Sequence, residues 1–176
     1  MLHVSTRGEA PAIAFNEALL TGLARDGGLY VPETWPQFTR EAIAALAGKS
    51  YAAAANEIVG ALVDGDVPAD ALSAMVADAY ATFRHPAVCP LTQVGDNLFV
   101  LELFHGPTLA FKDVAMQLLA RLMDHVLKQR GARATIVGAT SGDTGSAAIE
   151  AFAGLDQVDV FILFPHGRVS EVQRRQ

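Results

Sequence analysis

Lys112 stands in the run His105-Gly106-Pro107-Thr108-Leu109-Ala110-Phe111-Lys112-Asp113, and downstream of it comes Gly138-Ala139-Thr140-Ser141-Gly142-Asp143-Thr144-Gly145. A primary amine can condense with an aldehyde. A glycine-rich turn that ends a strand and opens a helix gathers backbone N–H groups at the positive end of the helix dipole, which suits a carboxylate or phosphate. Together these are the parts with which an enzyme binds an aldehyde cofactor covalently and holds a carboxylated substrate against it.

Each part also has an ordinary reading. A lysine near a helix start is commonly a solvated charge that the dipole slightly disfavours. Leu109, Ala110, Phe111, Val114 and Ala115 surround this one with apolar surface, and desolvation favours the neutral, nucleophilic amine. The glycines follow G-x-x-x-G-x-x-G, which departs from the dinucleotide pattern G-x-G-x-x-G, and no phosphate-binding G-x-x-x-x-G-K-[ST] can be laid over them. Ser141 and Thr144 add hydroxyl donors for an anion, whereas a tight turn whose glycines merely supply positive φ is equally consistent. His105 could donate to a phosphate or simply bond to backbone. The five histidines and single cysteine show no metal-ligand spacing, so no metal site is expected. Neither a G-x-S-x-G elbow nor a Cys-His arrangement occurs, which sets aside the common hydrolase chemistries.

The 176 residues, 51% hydrophobic and 18% charged, suit one domain or a small domain with part of another, with a sizeable core. No window approaches the roughly 18 consecutive apolar residues of a membrane span, and the first residues lack the apolar stretch of a secretory signal. Cys89 is alone, which excludes an intrachain disulfide and points to a reducing, cytoplasmic setting with Cys89 as a small buried hydrophobe. A net charge of -6 argues against a nucleic-acid partner. Local basic spots at Arg130 and Arg133, and at Arg168, Arg174 and Arg175, suit a small anion or an ordinary solvated surface.

The elements that must position these residues follow from periodicity. Residues 1 to about 85 read as mostly helical, with apolar steps at Ala42-Ile43-Leu46, at Ile58-Leu62 and along Ala71, Met75, Ala79 and Phe83. Asp26-Gly27-Gly28 is expected to end the first helix. The two prolines of His85-Pro86-Ala87-Val88-Cys89-Pro90 favour an extended linker, dividing the chain into domains 1–88 and 89–176. Beyond it, Leu98 to Phe104 reads as a buried strand, Phe111 to Val126 as a helix closed by Gly131, and Ala134 to Val137 as a strand. A small-residue helix through Ala147 and Phe152 follows, then a strand from Val158 to Phe164 buried on both faces. Strands alternating with helices predict an α/β fold, a mostly helical N-terminal domain followed by part of a doubly wound parallel sheet. Ser170-Glu171-Val172-Gln173 has the form of a capping box, with far fewer residues after it than the roughly 12 an isolated helix needs. The expectation is a truncated sheet of three strands, the N-terminal portion of a longer enzyme.

The segments Leu103 to Asp113 and Ala139 to Gly145 resemble the signature segments of the threonine synthases, pyridoxal-phosphate enzymes of the tryptophan-synthase-β fold type. Ser5-Thr6-Arg7-Gly8, Asp26 to Pro32 and Phe164 to Ser170 are similar to further segments of that family, so the resemblance covers the whole chain. It implies that Lys112 is the catalytic residue and forms the Schiff base with pyridoxal 5'-phosphate. It also implies that Ser141, Gly142, Asp143, Thr144 and Gly145 take the substrate carboxylate. Asp143, where sister enzymes carry Asn, would lie near the cofactor's 3'-oxygen. The implied reaction turns O-phospho-L-homoserine and water into L-threonine and phosphate, with Arg168 and His105 as candidates for the substrate phosphate. The loop for the cofactor phosphate and the partner of the pyridine nitrogen would come from later sequence, so the 176-residue segment alone is expected to be inactive. A serine or threonine dehydratase would share the lysine and the glycine loop, and a threonine-synthase-like binding protein would keep the fold without the chemistry.

Overall fold

The computed structural model describes residues 1–140 and 142–175. It divides into two compact units, Met1–Val76 and Ala77–Gln176.

The first unit opens with β1 (Leu2–Ser5) and β2 (Ile13–Ala14), followed by α1 (Phe15–Thr21) and β3 (Tyr30–Pro32). These strands form an antiparallel sheet in the order β2-β1-β3. Helical periodicity gave no warning of this sheet, because strands of two to four residues are too short to show an alternation. Helix α1 ends at Gly22 with φ +69, before the Asp26-Gly27-Gly28 turn. That turn instead closes a bridge between Leu23 and Leu29. Asp26 organises it, accepting from the Ser5 hydroxyl at 2.7 Å and from the N–H groups of Glu9, Ala10 and Gly28 at 2.9 to 3.0 Å. These bonds, that of Gly28 foremost, hold the Asp26 carboxyl down to about 2.

Helices α2 (Arg40–Ala44) and α3 (Tyr51–Val63) follow. Each starts at a hydroxyl cap: Thr39 accepts from the Ala42 N–H and Ser50 from the Ala53 N–H. Asp64 ends α3 in the left-handed conformation. Helix α4 (Ala69–Ala81) buries the line Leu72, Val76 and Ala79, one position round from the expected stripe through Ala71 and Met75.

In the second unit, β4 (Leu91–Gly95) and β5 (Leu98–Leu101) form an antiparallel hairpin. The expected buried strand from Leu98 is therefore shorter and lies in a two-stranded ribbon, and Leu98 to Leu101 are all exposed. The segment expected to be an extended linker bends tightly instead, with Val88 at φ +57. Helix α5 (Asp113–Arg130) then turns its apolar stripe of Leu118, Leu122 and Val126 inward and closes at Gly131 in the left-handed conformation. Each such leucine contributes roughly 1.5–3 kcal/mol by its burial.

Strand β6 (Ala134–Ala139), helix α6 (Asp143–Phe152) and strand β7 (Val158–Leu163) form one β-α-β unit with β6 and β7 parallel. Ala147, Ala148 and Ala151 are buried, as is Ala120 on the neighbouring α5, and small residues on both helices permit that approach. The parallel sheet has two strands rather than the expected three, since β5 pairs with β4. Burial alternates along β6 and β7, so the expectation of two covered faces for Val158 to Phe164 fails: Phe161 and Leu163 are exposed, and so is Val137 on β6. The architecture is a mixed α/β one. Helix α7 (Glu171–Arg175) ends the described residues, and its capping box forms as expected, the Gln173 N–H donating to Ser170 Oγ at 3.2 Å. Among the described residues no helix is long and apolar enough to cross a membrane.

Candidate functional site

Lys112 immediately precedes α5 and is half-buried. Its loop is fixed from beneath. Asp113, at 0% exposure, accepts the Thr108 hydroxyl at 2.7 Å and the Thr108 N–H at 2.9 Å. Gly106 abuts the same carboxylate, and a Cβ added there would lie 2.4 Å from Asp113 Cβ. Between them Leu109 adopts φ +64, a left-handed conformation that costs a non-glycine residue about 1–2 kcal/mol. The Lys112 Nζ lies 4.7 Å from the centroid of the Phe111 ring, a cation-π contact that shields one side of the amine.

At the start of this loop His105 Nε2 lies 2.7 Å from Glu102 Oε2, and the Thr92 hydroxyl donates to Glu102 Oε1 at 2.9 Å. His105 thus bonds to a carboxylate through its side chain, while its carbonyl accepts from the Arg84 N–H at 2.9 Å. These bonds, His105 first, hold the Glu102 carboxyl below its ordinary value. The ring of His85 lies 5.0 Å from that of His105. On the other side, the Tyr80 hydroxyl donates to the Val114 carbonyl at 3.3 Å and ties α4 to the first turn of α5.

The glycine loop joins β6 to α6. Gly145 is buried, and a Cβ there would meet Thr140 Cγ2 at 2.6 Å and Ile162 Cγ2 at 3.0 Å. The start of α6 therefore lies tightly against the strand ends. Asp143 and Thr144 occupy the first turn of α6 and are exposed, and Gly142 N–H approaches Thr140 Oγ1 at 3.4 Å. Ser141 lies outside the described residues.

A cleft of about 480 Å³ runs along this loop, lined by Thr140, Gly142, Gly145, Gln173, Arg174 and Arg175 among others. It is basic at the α7 end, where Arg174 and Arg175 line it, whereas Arg168 is exposed and outside the cleft lining. A second hollow, beside the Lys112 loop, is lined by Arg84, Pro107, Thr108, Leu109, Val172 and Arg175. Helix α7 borders both hollows, while Lys112 itself lines neither. Thr108 and Asp113 escaped sequence reasoning as site residues. The available signal was an acid directly after the lysine in an otherwise apolar run.

Comparison with known proteins finds relatives of this chain. A family model described as threonine synthase N terminus matches residues 2–80. The chain is 56% identical over 176 residues to a threonine synthase of Pseudomonas aeruginosa, covering 100% of this chain and 38% of the relative. Among solved structures, a pyridoxal-phosphate-bound threonine synthase from Brucella melitensis superposes with a TM-score of 0.97 at 67% identity, over 99% of this chain and 38% of that one. Yeast threonine synthase gives a TM-score of 0.92 at 42% identity, over 98% and 37%. The chain spans less than two fifths of the length of these relatives. With a family model matching its first part, high identity along the whole chain and a shared fold, the chain is similar to the N-terminal portion of the threonine synthases.

Proposed function

We propose that this chain supplies the covalent lysine and the substrate-carboxylate cradle of a threonine synthase, which converts O-phospho-L-homoserine and water into L-threonine and phosphate. The observation that carries this reading is the construction of the Lys112 loop. A half-buried lysine sits on a turn anchored by a fully buried carboxylate, in a chain similar to that family along its whole length.

Pyridoxal phosphate fits the residues present. Lys112 offers the primary amine that would hold it as a Schiff base, Phe111 gives that amine an apolar neighbour, and Asp143 stands exposed at the start of α6 for a polar contact. Gly145 leaves no room for a side chain where α6 meets the strands, so the helix start, with Gly142 and Thr144, can approach an anion closely. When bound, the cofactor supplies the electron sink for charge developing beside the substrate's α-carbon.

The remaining work falls to the chain's own side chains. The Gly142 and Gly145 backbone, with the Thr144 hydroxyl, binds the substrate carboxylate and fixes its orientation. Ser141 belongs to the same proposed cradle. Lys112 Nζ would take protons from Cα and Cβ and return protons to Cγ and Cα. Phosphate departs from Cγ, which then takes up a proton before water adds at Cβ, and an amine held in one place can serve these neighbouring carbons in turn.

Borohydride reduction of the protein expressed from its complete reading frame, loaded with pyridoxal phosphate, should place the label on the peptide containing Lys112. The same preparation should turn over O-phospho-L-homoserine in preference to threonine. A label on another lysine, or faster deamination of threonine, sinks the reading.

A further inference from the structure

Asp113 has no part in the chemistry just described, yet it is completely buried at 0% exposure. An acid is rarely found so deep unless it is partnered. Both its oxygens face one residue, Thr108, which is itself 2% exposed: Oδ1 accepts the hydroxyl and Oδ2 the backbone N–H. The carboxylate is therefore turned away from solvent and toward the loop that leads to it. Gly106 closes the other side, where a Cβ would come within 2.5 Å of Asp113 Oδ2.

This bracket spans residues 108 to 113 and encloses both the left-handed Leu109, at φ +64, and Lys112. A leucine in that conformation persists only where its surroundings over-determine it, and such positions concentrate at functional sites. Helix α5 then starts directly after Lys112, with the Met116 N–H bonded to the Lys112 carbonyl at 2.9 Å. Residue 112 is thus held from both sides, by the bracket before it and by the first helical turn after it. Fixing its backbone fixes the direction in which its Cα–Cβ bond leaves the chain, and so the origin from which its amine reaches outward.

We infer that Asp113 is a positioning residue, which through Thr108 sets the line along which the Lys112 amine meets its electrophile. The inference rests on the reading of Lys112 as the covalent lysine. It assigns Asp113 no proton transfer, because both carboxylate oxygens are engaged by Thr108.

The test uses the complete protein loaded with pyridoxal phosphate, as wild type and as Thr108→Val, Thr108→Ser and Asp113→Asn. Active sites are counted from the visible absorbance of the lysine-bound cofactor, so that misfolded protein does not enter kcat. Displacement of a reacting group by about 1 Å can cost 10²-fold in rate. Thr108→Val and Asp113→Asn are accordingly expected to lower kcat per site by about 10- to 100-fold with KM changed less than about threefold. The pH at which the visible band titrates should move with kcat, and Thr108→Ser, which keeps the hydroxyl, should restore both. If Thr108→Val does not fold, the contrast between Asp113→Asn and Thr108→Ser decides the matter. Variants that melt at lower temperature but keep wild-type kcat per site and band titration would overturn the positioning role and leave Lys112 untouched. Wild-type protein whose borohydride label lies elsewhere than Lys112 would overturn the underlying reading, and this inference with it.

Discussion

The loop before α5 and the loop before α6 both bring polar groups to a helix start, but the first is fixed from inside and the second is open at its surface. In the Lys112 loop the acid is buried and engaged by Thr108, and the glycine abuts that acid. In the glycine loop the buried contacts are made by Gly145 against Thr140 and Ile162, while Asp143 and Thr144 remain exposed. Under the proposed function the contrast matches two different demands. A covalent amine must arrive from one direction, so its support has to be built before any ligand comes. An anion cradle must exchange its ligand for water at each turnover, so its donors have to stay approachable.

The largest effect expected on this comparison is that of Gly106→Ala. The new Cβ would lie 2.4 Å from Asp113 Cβ and 2.8 Å from its carboxyl carbon, and Asp113 cannot withdraw without giving up Thr108. Overpacking of this kind costs about 3 kcal/mol, to be read as a lowered denaturant midpoint. Gly145→Ala should cost less, about 1–2 kcal/mol, since the atoms in its way are side-chain methyl groups, Thr140 Cγ2 at 2.6 Å and Ile162 Cγ2 at 3.0 Å, which can be turned aside without displacing a buried acid. An equal loss for the two substitutions would break the distinction between the loops.

Those two glycines also mark how far the sequence could be read. The helix boundaries of α5, the β-α-β alternation and the capping box of α7 were legible, because each rests on local rules of spacing and capping. Lys112 and the residues from Gly142 to Gly145 stood out by type and position. The pairing of β5 with β4, and so the size of the parallel sheet, was not legible: an apolar run does not say which neighbour it joins. The open faces of β5 and β7 were misread for a related reason, because hydrophobicity reports what can be buried, whereas burial depends on what is there to cover it. The Thr108–Asp113 bracket needed coordinates, since its two bonds depend on the left-handed turn at Leu109.

A smaller effect should come from Glu102→Gln at the mouth of the Lys112 loop. The His105 and Thr92 hydrogen bonds place the folded-state pKa of Glu102 below its ordinary 4.5. Its contribution to stability is therefore complete above 4.5 and is lost as pH falls through the depressed value. Glu102→Gln should remove that part of the acid dependence and flatten the melting temperature between pH 5 and pH 3, as ranges of about this width follow from linkage. A slope identical to that of the wild type would show that the side-chain pair at the loop entrance carries no weight, leaving the loop's support to the Asp113 bracket and to the bonds at the His105 and Val114 carbonyls.

The smallest effect on stability should be that of Asp143→Asn, and for that reason it sharpens the comparison most. Asp143 is exposed in the first turn of α6, where a negative charge meets the positive end of the dipole. Removing the charge there costs about 0.3–1 kcal/mol at low salt, and the cost should shrink as salt is added. Asn keeps the size and most of the hydrogen-bonding capacity of the side chain, so the turn itself should persist. In an open cradle such a change alters ligand binding without altering the frame: the melting temperature should move little, while the KM for O-phospho-L-homoserine or the absorbance of the bound cofactor shifts. A destabilisation on the scale of Gly106→Ala, insensitive to salt, would instead show that the glycine loop is braced through Asp143 as the Lys112 loop is through Asp113, and the two loops would no longer differ in kind.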